Sequence, residues 1–139
     1  MKPVGLSRAI LTGARILIID DDLDTLSLLR ITLQPKGYRI YSASNWDEVI
    51  DRLRIMENNH ETVDLVILDI MMPERSGFEV YISLQVVLHP VPPIIFLTAK
   101  TSIDDMVKAS DMGAFKYLTK PTTKDKLLTA VGEALKTRR

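Results

Sequence analysis

The 139-residue sequence predicts a doubly wound α/β fold, with helices on both faces of a five-stranded parallel sheet. Strand-like and helix-like segments alternate five times along the chain. The candidate strands at 15–20, 64–69 and 92–99 are almost entirely apolar, as expected for parallel strands buried on both faces. Each connection between neighbouring parallel strands is then a right-handed crossover through a helix.

The first two elements differ clearly in pattern. Residues 15–20, RILIID, form a short β-branched run that predicts a buried strand. Residues 24–37 carry leucines and isoleucine at helical spacing and end at PKG, which predicts a helix. Residues 38–44 alternate apolar and polar side chains, as a half-exposed strand does.

The middle of the chain continues the alternation. Residues 45–58 place their large apolar side chains on one helical face, and Asn45 followed by Glu48 fits a capping box. Residues 64–69 predict the second buried strand. Residues 76–89 predict a helix, although their valines also suit a strand.

The last part of the chain supplies two further strands and two further helices. Residues 92–99 enter a strand through prolines, and 102–113 predict a helix that Gly113 can close. Residues 114–120 predict the last strand. Residues 122–139 predict a final helix whose basic end suits its dipole.

Composition excludes several kinds of site. The net charge is zero, which gives no global reason to expect nucleic acid or an anionic membrane as a partner. Cysteine is absent, so disulfides and thiolate metal sites are excluded, and His60 and His89 form no metal-spaced pair. The apolar run at 9–11 is too short for a signal peptide, and no run approaches the roughly 20 residues of a membrane span. We therefore expect a cytoplasmic location.

Polar side chains follow four of the five predicted strands. They are Asp20 and Asp21 after the first, Asp69 after the third, Thr98 at the end of the fourth and Lys120 at the end of the fifth. Singly, each has an ordinary explanation as a helix cap, a β-branched residue or a loop lysine. Together they meet at the edge of the sheet where ligands bind in such folds. Clustered acids with a hydroxyl and an ammonium indicate phosphoryl transfer with Mg²⁺, one carboxylate being a candidate nucleophile.

Four stretches carry a resemblance to a known family. ILIIDDD (16–22), LVILDIMMPERSGFE (65–79), IIFLTAK (94–100) and YLTKP (117–121), in this order and spacing, resemble the receiver domain of CheY-like two-component response regulators. The resemblance spans residues 15–137. It implies a flavodoxin-like fold with strand order 2-1-3-4-5.

The resemblance assigns roles to the acids. Asp69 matches the phosphoacceptor, and Asp21 matches the acid that binds Mg²⁺ directly. Asp20 matches the neighbouring acid, which acts through a metal-bound water. Met71 matches the position whose backbone carbonyl is a metal ligand.

It also assigns roles to residues of the last two strands. Thr98 matches the hydroxyl that contacts the phosphoryl group, and Ala99 a small residue that offers a backbone N–H. Lys120 matches the lysine that pairs with the phosphoryl group and precedes a cis proline, Pro121. Tyr117 matches the aromatic switch that moves inward with Thr98.

The function implied is a phosphorylation switch rather than an enzyme. The phosphodonor would be a sensor histidine kinase or a histidine phosphotransfer protein, and the chain itself would at most label itself from small donors and slowly lose the label. The output would be a downstream protein or a covalently linked domain, with no nucleic acid or membrane bound by this chain. The surface of the fourth helix, fifth strand and fifth helix carries mixed charge; it fits a phosphorylation-dependent homodimer and an ordinary solvated surface equally well.

Two alternatives remain open on the sequence. A haloacid-dehalogenase-type phosphohydrolase also has two acids spaced like Asp20 and Asp22, but Asp24 stands where its threonine belongs. Its later acid pair would have to be Asp104 and Asp105, which fall in a predicted helix. We expect Asp22 and Asp24 to cap and charge the first helix instead. The other alternative is an inert flavodoxin-like scaffold with clustered acids.

The expected domain organisation is simple. Residues 1–14 form an N-terminal extension, 15–137 the receiver domain and 138–139 a C-terminal end. The sequence fits a stand-alone regulator and a segment of a longer regulator or hybrid kinase alike.

Overall fold

A computed structural model of the chain describes residues 13–137. The strands in this range are β1 Arg15–Ile19, β2 Arg39–Ala43, β3 Leu65–Leu68, β4 Ile94–Thr98 and β5 Lys116–Thr119. The α-helices are α1 Leu23–Leu33, α2 Trp46–Asn58, α3 Gly77–Val87, α4 Ile103–Met112 and α5 Lys124–Lys136. Most of the expected extension at 1–14 and the end at 138–139 lie outside the described residues; Gly13 and Ala14 are described, and Ala14 is buried.

The five strands form one parallel sheet in the order β2-β1-β3-β4-β5. In its centre Leu17 of β1 lies opposite Tyr41 of β2 and Val66 of β3. This topology confirms the predicted fold class. It sets β1 beside β3, so the residues that follow these two strands are neighbours although about fifty residues separate them in sequence.

Each face of the sheet has its own hydrophobic core. Successive residues of a strand point to opposite faces, so Ile18 packs beneath α1 and α5 while its neighbour Leu17 packs beneath α2, α3 and α4. Every residue of β3 and β4 is buried. No helix in residues 13–137 combines the length and the apolarity that a membrane crossing requires.

The segment with the ambiguous pattern, 76–89, is a helix over Gly77–Val87. A capping box starts it. The hydroxyl of Ser76 accepts a hydrogen bond from the Glu79 N–H at 3.3 Å, and the Glu79 carboxylate accepts one from the Ser76 N–H at 3.2 Å. These two bonds satisfy backbone N–H groups that, in a strand, would pair with a neighbouring strand.

The capping box predicted at the start of α2 is only half formed. Asn45 accepts from the Glu48 N–H at 2.9 Å, as expected. The Glu48 carboxylate, however, accepts from the N–H and hydroxyl of Ser44, at 2.7 and 2.8 Å. Glu48 therefore links the first turn of α2 to Ser44, the residue that follows β2.

Candidate functional site

The acids predicted to converge do so at the carboxyl edge of the sheet. Asp20 follows β1 and Asp69 follows β3, and the Asp69 N–H donates to the Ile19 carbonyl at 3.0 Å. Carboxylate oxygens of Asp20, Asp21 and Asp69 all lie within 4.8 Å of one another. Asp20 and Asp69 are buried, at 3% and 5% exposure, whereas Asp21 faces solvent. The site is thus a partly closed acidic pocket with one open side.

Lys120 reaches this pocket from the end of β5. Its ammonium nitrogen lies 2.6 Å from Asp20 Oδ2 and 3.2 Å from Asp69 Oδ2. The backbone N–H of Lys120 donates to the Thr98 carbonyl at 2.7 Å. The peptide bond from Lys120 to Pro121 is cis, as the resemblance implies. One cation therefore bridges the two buried acids.

The electrostatics of the pocket are only partly balanced. Burial raises the pKa of Asp20 to about 6, against hydrogen bonds from Lys120 and the Asp22 N–H that lower it, and the charge of Asp69 raises it further. Burial alone would lower the pKa of Lys120, but the hydrogen bonds and charges of Asp20 and Asp69 outweigh it and hold the pKa above its ordinary value. Lys120 thus stays an ammonium and offsets part of the repulsion among three carboxylates.

The donor set fits a hard divalent cation. Asp20, Asp21 and Asp69 offer only oxygen atoms, and no histidine belongs to their cluster. Mg²⁺ prefers a few carboxylates supplemented by water, and one open side leaves space for water and for a phosphoryl group. The residues present therefore fit the metal that the sequence indicates.

The two oxygens of Asp69 have different partners. Oδ2 faces Lys120, and Oδ1 accepts a hydrogen bond from the Met71 N–H at 3.1 Å. Met71 is 49% exposed, and its main-chain N–H is the part that contacts Asp69. The role expected of the Met71 carbonyl, as a metal ligand, stays a prediction.

Gly77 allows the β3–α3 loop to fold back over the phosphoacceptor position. A Cβ at Gly77 would lie 2.2 Å from the Asp69 carbonyl oxygen and 2.6 Å from the Ile70 Cα. The Gly77 N–H donates to the Ile70 carbonyl at 2.9 Å. The approach is so close that any side chain here would displace the main chain of Asp69.

The two predicted switch residues meet at one residue of the β4–α4 loop. Thr98 is fully buried, and its hydroxyl accepts from the Lys100 N–H at 3.3 Å. The Tyr117 hydroxyl donates to the Lys100 carbonyl at 2.9 Å, and its ring lies 6.2 Å from that of Phe96. Ala99 is exposed between Thr98 and Lys100. Both side chains are therefore bonded to the main chain of the same loop residue.

Apart from Asp20, the acids that a haloacid-dehalogenase arrangement would need do not belong to the acidic cluster. Asp22 is the N-cap of α1, accepting from the Asp24 N–H at 3.1 Å and the Thr25 hydroxyl at 2.9 Å. Asp104 and Asp105 lie in the first turn of α4. The expectation that Asp22 and Asp24 serve the first helix is confirmed.

Sequence reasoning missed one contact beside the site. The Arg75 guanidinium, in the β3–α3 loop, lies 5.1 Å from the centroid of the Trp46 ring. An arginine and a tryptophan 29 positions apart follow no spacing rule, so only the folded chain reveals the pair.

Comparison with known proteins gives consistent matches. The profile of the response regulator receiver domain matches residues 16–132. The transcriptional regulatory protein GlrR of Escherichia coli K12 is 42% identical over 122 residues, which cover 88% of this chain and 26% of GlrR. The chain thus spans about a quarter of the length of that relative.

Two solved structures share the fold. A response regulator receiver domain protein from Clostridium thermocellum has a TM-score of 0.75 at 32% identity, covering 89% of this chain and 95% of its own. The chemotaxis protein CheY4 of Vibrio cholerae has a TM-score of 0.75 at 27% identity, covering 88% and 99%. These matches lend no support to the haloacid-dehalogenase alternative.

Proposed function

The chain belongs to the response regulator receiver domain family of two-component signalling, and from that premise we propose that Asp69 accepts a phosphoryl group from a phosphohistidine. One observation carries the proposal. The carboxylates of Asp20, Asp21 and Asp69 lie within 4.8 Å of one another, with the Lys120 ammonium between the two buried acids. Receiver domains generally bind Mg²⁺ at such a pocket.

The transfer is a substitution at phosphorus. A carboxylate oxygen of Asp69 forms a bond to phosphorus while the bond from phosphorus to the imidazole nitrogen breaks, and the electron pair returns to the imidazole. Lys120 offsets negative charge on the phosphoryl oxygens. Water later attacks phosphorus and releases inorganic phosphate, restoring the carboxylate.

Four residues would hold Mg²⁺ in this proposal. They are Asp21 and Asp69 through their carboxylates, Met71 through its carbonyl and Asp20 through a bound water. The ion supplies positive charge for the transferring phosphoryl oxygens. The contact of Lys120 with both buried acids keeps the pocket assembled before the ion arrives.

The signal would leave through the surface formed by α4, β5 and α5. The Thr98 hydroxyl and the Ala99 N–H would donate to the phosphoryl oxygens, and movement of the Thr98 oxygen toward the phosphoryl group would carry it away from the Lys100 N–H that now donates to it. Tyr117, bonded to the Lys100 carbonyl, would follow. Phosphorylation then shifts the population between two arrangements of this surface.

The proposed partners follow from this chemistry. The donor is a sensor histidine kinase or a histidine phosphotransfer protein in the cytoplasm, and the recipient is a downstream protein, a linked output domain or a second copy docked on the surface of α4, β5 and α5.

The test is phosphorylation from acetyl phosphate in Mg²⁺, followed by intact mass spectrometry. We expect the wild type to gain one phosphoryl group and Asp69→Asn to gain none, because an amide is not a nucleophile toward phosphorus. Asp47→Asn, which alters an exposed acid in the first turn of α2, is the matched control and should label normally. Retention of the label by Asp69→Asn would refute the proposal.

A further inference from the structure

The β3–α3 loop, residues 70–76, carries the main chain that faces the phosphoacceptor. Its base is fixed by backbone bonds: the Ile70 carbonyl accepts from the N–H groups of Met72 and Gly77, at 3.1 and 2.9 Å. Met71 donates its N–H to Asp69. The far side of the loop is more exposed and needs another anchor to keep a single conformation.

Arg75 provides that anchor. Its guanidinium lies over the Trp46 ring at 5.1 Å, and its Nη1 donates to the Ser83 hydroxyl at 3.2 Å. Trp46 opens α2 and Ser83 lies within α3, so the side chain joins the loop to two helices. A planar guanidinium can stack on an aromatic ring and donate from its edge at the same time, which a lysine cannot.

Beside this contact is a cavity of about 440 Å³, bounded by Trp46 and Ser44 on one side and Met72, Pro73 and Arg75 on the other. It separates the loop from the start of α2. Without the Arg75 contact, the loop would have room to move into this space. The contact therefore holds the loop away from an alternative position.

We propose that Arg75, with Trp46 and Ser83, is a positioning residue for the Mg²⁺ site. Only three residues, among them Pro73, separate Arg75 from Met71, so a shift of Arg75 is transmitted to the Met71 carbonyl. The inference rests on the proposed function, since it concerns the ion that this function requires. It adds a residue that touches neither the ion nor the phosphoryl group.

The experiment measures Mg²⁺ affinity by calorimetry in the wild type, Arg75→Ala and Arg75→Lys. Arg75→Ala should bind Mg²⁺ about three- to tenfold more weakly, since it loses a cation–π contact and a hydrogen bond that order the loop. Arg75→Lys keeps the charge over the ring and should be intermediate. Arg54→Ala removes an exposed arginine of α2 and should leave the affinity unchanged.

Amide relaxation in the metal-free protein supplies a second readout. Residues 71–75 should gain motion in Arg75→Ala and in Trp46→Leu but not in Arg54→Ala. The thermal midpoints of the arginine variants should stay close to the wild type, whereas Trp46→Leu also loses packing against the core. A merely structural role would lower the midpoint without this local change.

Wild-type affinity and wild-type loop relaxation in Arg75→Ala would overturn the inference and leave the proposed function intact. Failure of the wild type to bind Mg²⁺ would refute the proposed function, and the relaxation data would still decide whether Arg75 orders the loop.

Discussion

Asp20 and Asp69 are buried acids that share one cation. The Lys120 ammonium contacts a carboxylate oxygen of each, and Asp21 adds a third negative charge from the solvent side. Burial, the largest influence, raises the pKa of Asp20 to about 6, so the pocket resists full ionisation in the absence of a further cation. The unfavourable burial of these acids thus falls at the proposed Mg²⁺ site, as is common at functional sites.

Replacement of Lys120 by methionine tests this balance. We expect Lys120→Met to lower the free energy of unfolding of the metal-free protein by about 1–3 kcal/mol, because the buried acids lose their only cation among the described residues. Saturating Mg²⁺ should recover more stability in this variant than in the wild type. Urea denaturation with and without Mg²⁺ measures both effects.

The matched control for that substitution is Lys116→Met, which changes an exposed lysine of β5. It should leave the unfolding free energy and its Mg²⁺ dependence near their wild-type values. Equal stability of Lys120→Met and the wild type without Mg²⁺ would show that the ammonium does not offset the acids.

The sequence reveals some of these residues and not the contacts among them. Asp20, Asp69 and Lys120 are predictable at the sheet edge because each ends or follows a strand, and parallel strands end on the same side. Their pairing is not predictable, because a flexible lysine from β5 can reach several acids. Which carboxylate oxygen faces Lys120 and which faces the Met71 N–H depends on side-chain torsions that only folding sets.

Among the elements, the β3–α3 connection decides the shape of the site. Gly77 begins α3 directly against the main chain of Asp69, and the capping box of Ser76 and Glu79 fixes the helix start at that point. Helix geometry and loop geometry are therefore set together. A change at the first residue of α3 acts on the phosphoacceptor position through the backbone.

Two glycine substitutions with opposite expected signs examine this element. Gly77→Ala should lower the free energy of unfolding by about 2–3 kcal/mol and weaken Mg²⁺ binding, because its Cβ would lie 2.2 Å from the Asp69 carbonyl oxygen. Gly132→Ala in α5, where nothing lies within 4 Å of the added Cβ, should raise the free energy of unfolding by about 0.5–1 kcal/mol. Urea denaturation and calorimetric Mg²⁺ titration report the two quantities. Similar effects from both substitutions would contradict the close approach at Gly77.

The element boundaries show where pattern reasoning ends. Gly113 was readable as the end of α4, and it adopts the left-handed conformation with φ 99° that glycine tolerates. The helix predicted over 76–89 is confirmed as α3, although its valines also suit a strand and its apolar residues surround the helix with little periodicity. The capping box at Asn45 forms only one of its two bonds, because the Glu48 carboxylate accepts from Ser44 instead. In both cases local hydrogen bonds at the helix start decide the outcome: the Ser76–Glu79 box begins the predicted helix α3, and Ser44, four residues before Glu48, takes the bond that the second capping box would have used.

In the molecule as a whole, a rigid sheet separates two cores while the loops at its carboxyl edge carry the polar chemistry. The proposed link from the acids to the α4–β5–α5 surface would pass through Lys100, whose N–H and carbonyl contact Thr98 and Tyr117. Phe96, beside Tyr117, packs on Phe78 and Tyr81 at 5.4 and 5.6 Å. The β4–α4 loop thus lies beside a packed aromatic layer, which resists rearrangement more than the loop does.

Thr98→Val separates phosphoryl capture from the change of surface. Valine fills the buried position of Thr98 but offers no hydroxyl, so we expect labelling of Asp69 to persist while Tyr117 and α4 no longer respond. Amide shifts on adding beryllofluoride and Mg²⁺ measure this. The shifts caused by beryllofluoride should remain near Asp69 and shrink at residues 103–117.

Thr119→Val, at the position opposite Thr98 in β5, is the matched control and should keep the full response. Undiminished shifts at Tyr117 in Thr98→Val would contradict coupling through this hydroxyl and place the connection in the loop backbone instead.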